Sequence, residues 1–149
     1  MSVVPRVVHG LACTLALCMA FASTEARTMV ARQSIAELQA SSDLIVTGRV
    51  AAAAPGPVHD VPGKDVVPLV IDRVIAGKVD GDTVPLAVPA QGGPIGSDDI
   101  PYVEGTSGLW FLRALPTPSG RVYLADTPQR FVPAAEMDEI MRALGALRD

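Results

Sequence analysis

Cysteine is almost missing: 149 residues hold only Cys13 and Cys18, and both fall within the first 22. If that stretch is removed on export no thiol remains, and disulfides, thiolate catalysis and Cys-ligated zinc are lost together. Histidine is equally scarce, since His59 is the only one beyond the leader, and Lys64 and Lys78 are the only lysines. Positive charge is therefore short: Lys+Arg of 12 against Asp+Glu of 16 gives −4, and losing Arg6 with the leader takes it to about −5. A mildly acidic chain lacks the basic footprint that displaces counterions from phosphates, and aromatics at 4% offer few platforms for stacking bases. No nucleic-acid partner is expected. A long apolar run is missing too. The uncharged Leu11–Ala22 is well short of the ~20 residues that span a bilayer.

What stands at the start is an export signal. Arg6 supplies the positive charge, Leu11–Ala22 the apolar stretch, and Ala20-Phe21-Ala22 the small residues a signal peptidase accepts before Ser23, with a second cut available after Ala26. The expected organisation is a signal peptide over 1–22, an extension over 23–33 and one domain over 34–149, with a mature N-terminus between Ser23 and Arg27. A secreted or periplasmic protein follows, with no stable membrane insertion after cleavage. Gly10-Leu11-Ala12 before Cys13 lacks the branched aliphatic residue of a lipoprotein signal. The excess of Ala, Pro, Gly and Val, with Arg preferred to Lys, suggests a GC-rich bacterial coding bias. Without disulfides, an exported domain depends on its hydrophobic core.

Along that domain, Ser34-Ile35-Ala36-Glu37 is a capping box that predicts a short helix ending near Ser41-Ser42-Asp43. Leu44–Ala53 reads as a strand, with Gly48 marking a bulge or sharp coil. Val66–Ile75 reads as a second strand, whose Pro68 calls for an unpaired position or a bulge. Asp80-Gly81-Asp82 turns into a third strand, Thr83–Val88. Leu109–Leu115 and Val122–Asp126 form a hairpin, and Arg130–Val132 adds a short strand. Pro133–Leu147 carries an apolar stripe at helical spacing, Met137, Ile140, Met141, Leu144 and Leu147, with acids early and arginines late. The fold class expected is mainly β: a small OB-like five-stranded barrel with a short N-terminal helix and a C-terminal amphipathic helix.

The succession "SSDLIVTGRV", "LVIDRVIAGKVDGDTVPLAV" and "YVEGTSGLWFL", between a leading helix and an acidic closing helix, resembles the netrin-like domain family. Its best known members are the tissue inhibitors of metalloproteinases. The resemblance covers most of Ile35–Leu147 and implies an OB-type barrel. In those inhibitors a cysteine begins the mature chain and chelates the catalytic zinc through its amine and carbonyl. This sequence has no such cysteine, so the resemblance carries over no inhibitory residue, and no zinc-site inhibition of that kind is expected.

Catalytic chemistry finds little support. His59, beside Asp60 in a Pro/Gly-rich loop, is a lone candidate base or ligand. Asp80 with Asp82, and Asp98-Asp99 with Glu104, are carboxylate clusters without the spacing of an EF-hand loop. No serine lies in G-x-S-x-G, and Gln91–Gly96 has a proline where a phosphate loop needs amides and lacks the Lys-Ser/Thr that should follow. No cofactor or metal is expected. The long connection Pro89–Gly108 sets Ile95, Ile100 and Tyr102 beside Asp98, Asp99 and Glu104, a pattern of apolar anchors among charges that suits a partner-binding loop. Replacing Ile95–Tyr102 with a Gly/Ser linker is expected to leave stability nearly unchanged. The function expected is a binding or inhibitory module acting on another protein. The alternatives are a small hydrolase using carboxylates and His59, and a structural component of the envelope.

Overall fold

The computed structural model describes residues 32–52, 61–90 and 100–146. The expected signal peptide and His59 lie outside the described residues. The capping box forms as its sequence dictates. The Ser34 hydroxyl accepts from the Glu37 amide at 3.3 Å, and the Glu37 carboxylate accepts from the Ser34 amide at 2.7 Å. The helix it starts, α1 (Ile35–Ala40), is six residues long and buries Leu38.

Five strands follow: β1 (Leu44–Val50), β2 (Lys64–Ala76), β3 (Thr83–Pro89), β4 (Ser107–Thr117) and β5 (Gly120–Leu124). Antiparallel pairs β1–β2, β2–β3, β4–β5 and β1–β4, with a parallel β3–β5 pair, close a ring in the order 1-2-3-5-4-1. This is the expected OB-like five-stranded barrel, in which closure leaves few unpaired edges. Alternate side chains fill it, with Leu44, Val46, Leu69, Leu86, Trp110 and Leu112 all fully buried. The opposite parity on β1 and β4 builds a second core outside the barrel. There Ile45, Leu109 and Phe111 are covered by Leu38 of α1 and Met141 near the C-terminus. Trp110 and Phe111 are thus both core residues, in different cores.

Two glycines set the barrel's curvature. Gly48 and Gly108 face each other across β1 and β4. A Cβ on Gly48 would run into the Val70 carbonyl oxygen, and one on Gly108 into that of Val132. The β1–β2 register slips beside Gly48, as expected. The Trp110 indole N–H donates to the Gly48 carbonyl at 3.1 Å, a side-chain tie between β4 and β1 at this point. Pro68 faces Pro85 across β2 and β3, and its carbonyl accepts from Ala51 N beyond the end of β1. The missing amide therefore falls where β1 has already ended.

After β5 the hairpin is interrupted. An unbroken register from the Arg113–Leu124 pair would set Trp110 opposite Thr127, but Trp110 faces Phe131 of β6 (Phe131–Pro133). The four extra residues form a step that includes a 3-10 turn at Pro128–Arg130. The C-terminal helix is shorter than its stripe predicts. Pro133 still holds extended backbone opposite Gly108, a 3-10 turn covers Ala134–Glu136, and α2 runs only Met137–Ala143. Gly145, at φ +67°, ends it. Ala146 N bonds Met141 O and Gly145 N bonds Arg142 O, both at 2.9 Å, a paired closure that satisfies the last carbonyls. Leu147 lies outside the described residues.

Candidate functional site

The expected partner-binding loop divides into unlike parts. Ile95, Asp98 and Asp99 lie outside the described residues. Ile100 is 6% exposed and belongs to the barrel core. Tyr102 packs on Trp110 with ring centroids 6.3 Å apart, and its hydroxyl donates to the Ala125 carbonyl at 2.8 Å. The two anchors expected at the surface therefore close one end of the barrel. An apolar side chain leaving a Gly/Pro-rich stretch is drawn into the nearest open core. Replacing both by Gly/Ser would open that end, so the stability-neutral replacement expected from sequence does not fit this packing. Glu104 is exposed beside Val103, at 65% exposure, on a turn held by Thr106 N to Val103 O and by Gly105 N to Val50 O at 2.8 Å.

The step between β5 and β6 carries a buried cation that its sequence does not announce. Arg130 is 3% exposed. Its guanidinium donates to the Ser41 and Ser42 hydroxyls at 2.9 and 3.0 Å, and to the Phe111 carbonyl at 3.4 Å. That carbonyl faces the gap where the hairpin is broken, so Arg130 supplies the donor the missing rung would have given. Its Nε lies 2.7 Å from Asp126 without hydrogen-bond alignment, and Asp126 also receives Arg113 at 2.5 Å. Every partner is a backbone group, a hydroxyl or a structural carboxylate. The network ties α1, β4 and the step together.

Two surface features remain. The outer face of β2 and β3 pairs Val66 with Ala87 and Pro68 with Pro85, and continues to Val70 opposite Thr83. Val66, Pro68, Val70 and Pro85 are each half-buried, and neither α1 nor α2 contributes to the cluster of Val61, Ala87 and Val122 beside them. The second feature is an open cleft of about 600 Å³ between α1, β6 and α2. Its floor is Ile35, Leu38, Phe131, Val132 and Ile140, and charged residues stand on its walls.

Among the described residues, no three His, Cys, Asp or Glu side chains converge on a point that could hold a metal ion, and Asp80 and Asp82 remain exposed in their turn. No helix among them is long and apolar enough to cross a membrane. No family model, curated protein or solved structure matches this chain.

Proposed function

We propose that the chain is an exported, non-enzymatic binding module whose outer β2–β3 face engages another protein. One observation carries this reading. A strip of Val and Pro side chains stays half-exposed on that face, while the barrel's other outer face is buried under the chain's own helices. OB barrels commonly take ligands on the face of their second and third strands. Here the outward positions from Val66 to Val70 and from Thr83 to Ala87 include no cation, so the face suits an apolar protein surface better than a phosphate backbone. The netrin-like resemblance agrees with an extracytoplasmic binding role. Without an N-terminal cysteine, engagement would not run through a chelated zinc.

The test is capture by the immobilised mature domain from its host's secreted and periplasmic fractions, with partners identified by mass spectrometry. One reproducible partner is expected, and Val70→Glu combined with Pro85→Glu should abolish its recovery while thermal unfolding stays cooperative. His59→Ala should leave recovery unchanged. Undiminished capture by the Val70/Pro85 variant would move the binding face elsewhere, and loss of capture with His59→Ala alone would favour the hydrolase alternative.

A further inference from the structure

We propose that the cleft between α1, β6 and α2 is a second binding site, independent of the β2–β3 face, for a short zwitterionic peptide with apolar side chains. Its charges carry the argument. Glu136, Asp138 and Glu139 stand on the α2 side, with Arg142 on the same helix and Arg32 before α1. Asp138 and Glu139 precede Arg142 by four and three residues, spacings at which helical side chains meet. Yet none of these five makes an ion pair among the described residues. Unpaired charges of both signs therefore stand around a mainly aliphatic floor.

A ligand of one sign would gain from one set of these charges and be repelled by the other. A purely apolar ligand would gain nothing from any of the five charges. The complementary molecule carries an ammonium and a carboxylate joined by an apolar body, as a di- or tripeptide with free ends does. The cleft's volume of about 600 Å³ lies within the range of small-ligand sites. All five charges are exposed and face water, so the affinity is weak and salt-sensitive.

The chain carries its own reporter. Trp110 is the only tryptophan, and its ring centroid lies 4.4 Å from that of Phe131 on the cleft floor. The full chain is titrated with Leu-Leu carrying free termini and with N-acetyl-Leu-Leu-amide, following Trp110 fluorescence and backbone amide shifts by NMR. A saturable response to Leu-Leu is expected, with shifts at Phe131, Val132 and Ile140, and affinity at least about tenfold weaker for the blocked peptide. Arg32→Glu with Arg142→Glu, and separately Glu136→Lys with Glu139→Lys, should each weaken Leu-Leu binding while circular dichroism is unchanged. Equal binding of the blocked peptide, indifference to both charge variants, or no saturable response at millimolar peptide would each overturn the proposal.

Discussion

The barrel has two outer faces made from similar residues and treated differently. On β1 and β4, Ile45, Leu109 and Phe111 are sealed beneath α1 and α2 until none is more than 1% exposed. On β2 and β3, Val66, Pro68, Val70 and Pro85 stay half-buried, and neither α1 nor α2 joins the cluster beside them. The difference lies in what the chain ends supply. The two short helices carry Leu38, Met137, Ile140 and Met141, joined by Leu144 just past the second helix, enough apolar surface for one face. Neither helix could persist alone at six or seven residues, so each is stabilised by the face it covers. The covered face contributes to stability through that burial, and the bare one is the surface proposed above for contact with another protein.

The sharpest way to break this comparison is to truncate one residue on each face. Phe111→Ala should cost about 3–5 kcal/mol in chemical denaturation, because a fully buried ring leaves a cavity between strand and helices. Val70→Ala should stay within about 0.5 kcal/mol of wild type. Similar losses at both positions would show the two faces to be equally buried. Next in size is the barrel's plugged end, where Ile100→Ala should cost about 2–5 kcal/mol as a core truncation. A change within the noise of the measurement would return Ile100 to the surface, where its sequence context first suggests it lies.

Arg130→Met tests how the covered face is tied down. It keeps much of the volume but strips donors from the Phe111 carbonyl and the Ser41 and Ser42 hydroxyls, and should cost about 1–3 kcal/mol. Arg130→Lys should recover only part, since an ammonium cannot reproduce a planar fork. Full recovery would show that charge alone matters there. The smallest effect belongs to Glu37. The Ser34 amide, and after it the Ser34 hydroxyl, hold its carboxyl below the usual 4.5. A depressed carboxylate stabilises above its unfolded value and loses that contribution as pH falls through the folded one. Glu37→Gln should therefore be less stable than wild type at neutral pH, with the gap closing as pH drops below 4.5. A gap that stays constant through that range would remove the ionised carboxylate from the cap.

Local features were legible in the sequence and distant ones were not. The capping box at Ser34, the slip at Gly48, the hairpin around Pro118-Ser119 and the stripe from Met137 to Leu144 each depend on neighbours within a few positions. All four are present in the structure. Ile100, Tyr102 and Arg130 gave no such signal. An Ile-x-Tyr pair at strand spacing among glycines, prolines and acids reads as surface until the open barrel end is in view. Arg130 between Gln129 and Phe131 reads as an ordinary strand-edge cation until the broken rung opposite Phe111 is known. The β2–β3 strip is intermediate. Its apolar residues on both sides of the strand were visible, but which side would receive the helices depended on how the ring closed.

The four-residue step before β6 has a consequence for how this chain tolerates change in length. Phe131 points toward Trp110 and Val132 toward the helices, an assignment fixed by the parity of the residues between β5 and β6. Gaining or losing one residue there would exchange the two side chains, turning the aromatic ring outward and reversing every position up to Pro133. Gaining or losing two would preserve the faces while lengthening or shortening the step. Descendants of this chain should therefore vary here by even numbers, and an odd indel should survive only alongside a second odd change that restores the count.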